Sequence, residues 1–260
     1  MTGVQTCALP IYNKAAFEWG RRCAHDLASV HALFKAAQVI EFVKKPSLDE
    51  MITKRVAFLT GYQHAAYAQQ YAGFVAGVRQ AEGALNSTRL TEAVARYLFK
   101  LMAYKDEYEV ARLHTDTAFT DKIAGMFEGD YKLVHHLAPP LLAKTNDKGE
   151  LVKQRFGPWI RPAFGVLAKL KGLRGGAFDI FGRTEERRTE RALIGEYQAS
   201  ITELLRGLNT GTLAAAVEIA SLPEDIRGYG HVKARHLAAV RPKWQRLMVQ
   251  WRAGGERAAA

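Results

Sequence analysis

One stretch constrains this chain more than any other. Ser47-Leu48-Asp49-Glu50 follows Pro46, with a hydroxyl where a helix begins and a carboxylate three residues on. That pattern satisfies two orphan backbone donors reciprocally and predicts a helix N-terminus. Ile52, Val56 and Leu59, then Tyr67, Tyr71, Phe74 and Val78, continue at three-to-four-residue spacing, one buried stripe of a long helix. Ala65, Ala66, Ala68, Ala72, Gly73, Ala76 and Gly77 keep it thin enough for close approach by a neighbour, and Gly61 is the expected place for a bend. The uncharged run Val56–Val78 is long enough for a bilayer. Gln63, His64, Gln69 and Gln70 make it too costly in hydrocarbon, so it is read as a helix buried in protein, with no membrane partner.

Further helices follow from the same period. Asn13–Ala24 carries Phe17 and Trp19, and Asp26 is placed to cap the next helix. Leu90, Val94, Tyr97, Leu98 and Leu101 mark another, which runs on to Tyr104, Tyr108, Val110 and Leu113. Thr184 precedes Glu185 and Glu186 in a capped first turn, and Leu193 to Leu208 form its apolar side. Ser221-Leu222-Pro223-Glu224 reads as a second capping box, and a last helix from His231 to Trp251 must kink or split at Pro242. Between Tyr131 and Leu137 the helical period lapses into alternation, and Leu151–Phe156 is the expected return strand, with a turn at Asn146–Gly149. The predicted fold class is mainly α, a multi-helix domain with one small β-hairpin at about 131–137 and 151–156.

Composition narrows the function classes. The chain has 260 residues, 48% hydrophobic and 24% charged, which excludes a disordered, collagen-like or disulfide scaffold. Lys and Arg outnumber Asp and Glu by 37 to 26, a formal charge of +11, and favour acidic partners. The charge is uneven: Lys105–Asp130 has net −4, Lys144–Arg191 net +6, and Arg227 to the end net +7. Lys169, Lys171 and Arg174, with Lys233, Arg235, Arg241, Lys243 and Arg246 of the last helix, are the candidate docking residues. The plainer reading is a solvated face, or one that neutralises the acidic segment. Two cysteines and no export signal read as a cytoplasmic chain.

Motifs for chemistry are sparse. There is no GxxxxGK[ST] loop and no GxGxxG after a strand. Gly172, Gly175 and Gly176 beside Lys169, Lys171 and Arg174 are a weak phosphate-loop signal and read better as a flexible joint. Adjacent His135 and His136 face opposite sides of a strand. His231 and His236 are off the four-residue helical spacing. Cys23 lies near Arg21, Arg22 and His25, but no base is in view to activate it.

Resemblance carries the reading further. Met1–Ile11, MTGVQTCALPI, resembles the in-frame translation of a sequencing-library adapter, and residues 1–11 are set aside as an artefact. NKAAFEWGR (13–21), YLFKLMAYKDEYEVARLH (97–114), HLAPPLL (136–142), FGPW (156–159), FDIFGRTEERRTER (178–191) and LPEDIRGYGHVK (222–233) together resemble the C-terminal region of the fused indolepyruvate ferredoxin oxidoreductase family, over essentially everything from residue 12. The resemblance implies that 12–45 closes a γ-type oxidoreductase domain and that 46–260 is the helical C-terminal domain. It implies a homo-oligomeric parent that oxidatively decarboxylates aryl 2-oxoacids to acyl-coenzyme A and reduces ferredoxin. Thiamine diphosphate and iron–sulfur clusters serve that parent; none of the family's cofactor motifs falls here, so no cofactor, metal or catalytic residue is expected in this stretch. The missing N-terminal catalytic domains become its first partners.

Two dense polar runs remain, Tyr104–Glu109 and Arg227–His231. Lys105, Asp106, Glu107, Glu109, Arg227 and His231 are expected to form a helix-packing network, because buried charges must be paired. Two other readings stay open: a basic dock for acidic ferredoxin or the phosphates of coenzyme A, and an independent nucleic-acid-binding helical protein. The last is the weakest, since the aromatics sit on apolar stripes and not among the cations.

Overall fold

A computed structural model describes residues 5–33, 46–126, 129, 132–137, 144–145, 151–152 and 154–259. In chain order it contains α1 (Gln5–His25), α2 (Leu27–Leu33), α3 (Leu48–Tyr62), α4 (Ala65–Gly83), α5 (Arg89–Met102), α6 (Glu107–Thr115) and α7 (Thr117–Ala124). Then come β1 (His135–Leu137), β2 (Lys144–Thr145), β3 (Leu151–Val152) and β4 (Gln154–Phe156). The rest is α8 (Arg161–Lys169), α9 (Glu185–Arg206), α10 (Leu213–Ser221) and α11 (Gly230–Ala259), with 3₁₀ turns at Pro158–Ile160, Leu170–Leu173 and Leu222–Asp225. The fold is mainly α with a small antiparallel hairpin, as the periodicity predicts. The chain divides into two compact units, Met1–Lys45 and Pro46–Ala260.

In the first unit, α1 runs through Pro10. Asp26 caps α2 as anticipated, its carboxylate accepting from the Ser29 amide at 3.0 Å. Cys23 is a half-buried free thiol.

In the second unit, Ser47 and Glu50 form the anticipated capping box at the start of α3. The long helix it opens is two helices. Gly61 stays inside α3, and the break falls at Gln63-His64, where the His64 imidazole takes over as N-cap of α4 by accepting from the Tyr67 amide at 3.1 Å. An acceptor at that position satisfies a free backbone donor, so it starts a new helix where glycine alone only loosens one. No helix among the described residues is long and apolar enough to cross a membrane.

The core is built on α5, which is buried on most of its circumference: Leu90, Val94, Ala95, Leu98, Leu101 and Met102 are all enclosed. It packs against α4, α9 and α10, and α3 and α11 complete the cluster through Leu59, Tyr62, Leu237, Val240, Trp244 and Met248. Three buried tyrosines and the half-buried Tyr67 tie these helices by donating to main-chain carbonyls: Tyr71 to Ala95 (3.0 Å), Tyr67 to Met102 (3.0 Å), Tyr62 to Tyr104 (2.8 Å) and Tyr197 to Ala220 (2.8 Å). Each hydroxyl finds an acceptor, so the large ring is buried without an orphan polar group. Ser221 caps nothing. It ends α10, its hydroxyl donates to Val217 O at 2.7 Å, and Glu224 accepts from the Tyr97 hydroxyl instead. Pro242 neither splits nor ends α11.

A second, smaller core holds the hairpin. β1 and β4 pair antiparallel, His135 opposite Phe156 and Leu137 opposite Gln154, and β2 pairs with β3. The turn expected at 146–149 lies outside the described residues. Phe156, Ile160 and Phe164 pack with Ala111 of α6, so the strands gain their stability from α6 and α8. His135 is buried and His136 exposed, as alternation requires. The His135 ring meets His114 edge-on at 4.8 Å, and Phe164 packs on both. Burial pushes both histidines below the ordinary 6.5; the neighbouring His135 and Lys105 add to this at His114, as Arg161 does at His135. Depressed folded-state values mean that the small core is fully stable above pH 6.5 and loses stability as pH falls below it. Hydrogen exchange corrected for intrinsic rates should therefore speed up in 135–137 and 154–156 on acidification, ahead of α5, and His135→Phe should flatten that response.

Candidate functional site

The most constrained polar cluster lies where α3, α6, the loop 174–184 and α9 meet, and Arg174 is its hub. Arg174 is only 4% exposed. Its Nε and Nη2 donate to the two carboxylate oxygens of Asp106 at 2.5 and 2.8 Å, and its Nη1 donates to Tyr62 O at 2.6 Å. The guanidinium lies 3.6 Å from the Tyr62 ring centroid and 5.6 Å from that of Tyr108. Fork-to-fork pairing with a carboxylate, plus an aromatic face beneath, is the geometry that suits a buried guanidinium and not an ammonium. Burial works most strongly against its charge, but the Asp106 hydrogen bonds, the Asp106 charge and the flanking Tyr62 and Tyr104 together hold Arg174 above its ordinary value. Asp106 serves twice, because it also caps α6 by accepting from the Glu109 amide at 2.9 Å.

A second carboxylate organises the adjoining loop. Asp179 accepts from the Tyr108 hydroxyl (3.2 Å), the Gly182 amide (2.8 Å) and the Gly175 amide (2.7 Å). Gly175 sits at φ +75, where a side chain would be strained. A Cβ on Gly182 would come within 2.1 Å of the Asp179 carboxylate, so the close approach requires glycine. Arg191 closes the far side by donating to Gly182 O at 2.6 Å. Burial, then the Asp179 charge, pushes the Tyr108 hydroxyl well above its ordinary range, leaving it a donor. With the Gly175 amide spent on Asp179 and the Gly176 amide on Leu173 O, this loop is a pinned corner, not a flexible joint or a phosphate cradle.

From this hub the charges chain outward. Arg187 lies 3.5 Å from Glu107 and bonds Glu190 at 2.9 Å; Lys233 bonds the other Glu190 oxygen at 2.7 Å. Glu186 accepts from the Gly230 amide at 3.1 Å, and Lys105 lies 5.0 Å over the Tyr229 ring. Glu109 takes Arg112 in a bidentate pair at 2.7 and 2.8 Å. The two polar runs thus meet directly at Lys105 and Tyr229, but the carboxylates of the first, Asp106, Glu107 and Glu109, pair with arginines 174, 187 and 112. Arg227 instead donates to Glu224 O at 3.1 Å, and its own carbonyl pairs with His236 Nδ1. His231 is exposed at the start of α11.

The candidate docking residues do not act as one face. Arg174 is the buried hub. Lys171 turns inward to Gly61 O at 2.5 Å, its charge disfavoured by burial and by Arg112 and Arg174. Lys233, Arg241 and Lys243 pair with Glu190, Glu196 and Glu218, and Arg252 pairs with Glu203. Since 190, 196 and 203 meet 233, 241 and 252 in the same order, α9 and α11 run parallel, and four cations of the last helix are paired within the chain, only Lys233 of them largely buried. Lys169, Arg235 and Arg246 remain exposed, with no ion pair among the described residues. Sequence reasoning had no separate signal for Asp179 or Arg187; the one clue was that both fall in the quoted stretch FDIFGRTEERRTER. Among the described residues no group of three or more His, Cys, Asp or Glu is placed to hold a metal ion.

No curated protein and no solved structure matches this chain. A family model does: residues 48–246 match a family of unknown function, DUF6537. That stretch opens on the first residue of α3, contains the whole charge network, and closes within α11. It makes up most of the chain, and the protein belongs to that family.

Proposed function

We propose that this chain is the C-terminal, non-catalytic part of a fused indolepyruvate ferredoxin oxidoreductase of the cytoplasm, a structural and interaction domain whose parent converts aryl 2-oxoacids to acyl-coenzyme A. One observation carries the scaffold role: the charged motifs on which the resemblance rests are spent on each other. Glu107 and Tyr108 of the first run pair with Arg187 and Asp179 of the stretch 178–191, and Asp106 is taken by Arg174 just ahead of it. Side chains held in buried bidentate pairs fix geometry and are not offered to a substrate. Thiamine diphosphate and the clusters supply the decarboxylation and electron transfer in the parent; what the second unit contributes is a helical scaffold.

A long sequencing read through the locus upstream of Tyr12 tests the assignment. The reading frame is expected to continue into thiamine-binding and cysteine-rich segments. A native start codon immediately before Tyr12 overturns it, and the chain would then be a free-standing helical protein.

A further inference from the structure

We propose that the surface formed by residues 158–184 is a docking site for an acidic protein segment that presents apolar side chains. Five of the ten large apolar side chains exposed in the second unit, among the described residues, lie here: Trp159 (69%), Val166 (62%), Leu170 (43%), Phe178 (78%) and Ile180 (58%). Trp159, Val166 and Leu170, with exposed Ala163, recur at four, three and four residues, so they form one stripe along the helical run Pro158–Leu173. The neighbouring face of that run, Ile160, Phe164 and Leu167, is already committed to the small core. α8 is thus apolar on two sides, and among the described residues only one has a partner.

Charge selects the occupant. From residue 151 to 184 the sequence has seven basic residues and one acid, Asp179. That acid is buried and bonded within its own loop. Arg155, Arg161 and Lys169 stand exposed, with no ion pair among the described residues. An apolar surface set among uncompensated cations is complementary to apolar side chains set among carboxylates.

Rigidity argues for a protein and against a membrane surface. Phe178 and Ile180 flank Asp179, whose three hydrogen bonds pin the loop from beneath, and Arg174 anchors the loop's first residue. Anchors held in one conformation before binding lose little entropy on association, which is what a packed protein interface rewards. Insertion among lipid chains needs no such fixed geometry. This surface stands whether or not the parent is an oxidoreductase, and its test contains no enzyme assay.

The test is fluorescence anisotropy of the full chain with three labelled probes: a helical peptide of Glu and Leu at amphipathic spacing, a polar Glu peptide of equal charge, and vesicles of phosphatidylglycerol and phosphatidylcholine. The amphipathic acidic peptide should bind, weaken with salt, and bind about tenfold or more less tightly to the Trp159→Ser/Phe178→Ser variant. Both residues are exposed, so the variant should keep its thermal midpoint; if it does not, Arg161→Glu/Lys169→Glu is read in its place, with the same loss expected. Absence of binding, equal binding by the variant, or equal binding of the polar peptide overturns the proposal. Partition into vesicles without peptide binding assigns the surface to a membrane and overturns it, and so does a dimer by light scattering that the serine variant dissolves.

Discussion

Asp106→Ala should destabilise the second unit by about 3–5 kcal/mol in urea unfolding, the cost of leaving a buried charge without its partner. The substitution strips Arg174 of both bidentate bonds while its guanidinium stays enclosed against Tyr62 and Tyr108. It also removes the N-cap of α6, itself worth about 1 kcal/mol. The paired variant Asp106→Leu/Arg174→Met should recover a large part of the loss, because an apolar pair has no desolvation penalty to offset. A loss below about 1 kcal/mol for Asp106→Ala would mean that the guanidinium finds water on relaxing, and that the network does not organise the junction.

The second large effect is expected at Glu82, a carboxylate with no exposed surface at the end of α4. Its Oε1 accepts from the Leu90 amide at 2.8 Å; its Oε2 accepts from the Thr91 amide at 2.8 Å and the Thr91 hydroxyl at 2.7 Å. Thr88, the residue at the N-cap position of α5, makes no capping bond, so a glutamate from the preceding helix caps α5 in its place and faces its positive end. Glu82→Ala orphans three buried donors and should cost about 3–5 kcal/mol; Glu82→Gln keeps part of the geometry and should cost about 1–2 kcal/mol. Burial alone would raise this carboxyl, but the Thr91 and Leu90 donors outweigh it and hold Glu82 below its ordinary 4.5. A depressed folded-state value means that its contribution is complete above the unfolded value and fades as pH falls through the folded one. The stability gap between wild type and Glu82→Gln should therefore narrow on acidification through the carboxylate range. A gap that stays constant would show that Glu82 is bound as the neutral acid.

Both sites show why tertiary structure was needed. Ser47, Asp26 and Thr184 announce helix starts because a capping side chain and its amide are three residues apart, inside one local window. Glu82 caps from eight residues upstream across a turn, and Asp106 meets Arg174 over a separation of 68, so no local pattern marks either one. In the sequence Arg174 falls among the surface cations, because composition cannot separate a paired guanidinium from a solvated one. The same holds for Lys171, Lys233 and Arg241.

The sequence by itself determined the helical class, most helix starts, the apolar stripes of α4, α5 and α9, and the existence of a hairpin near 135–156. These follow from the 3.6 and 2.0 residue periods and from capping chemistry, which act over one or two turns. Only the tertiary structure decided which polar residues pair, that the Gly172–Gly176 corner is pinned by Asp179, and that the outer stripe of α8 is left uncovered. Those outcomes depend on which distant surfaces meet, because the stability of a buried charge or an exposed apolar face is set by its neighbours in space and not by its neighbours in sequence.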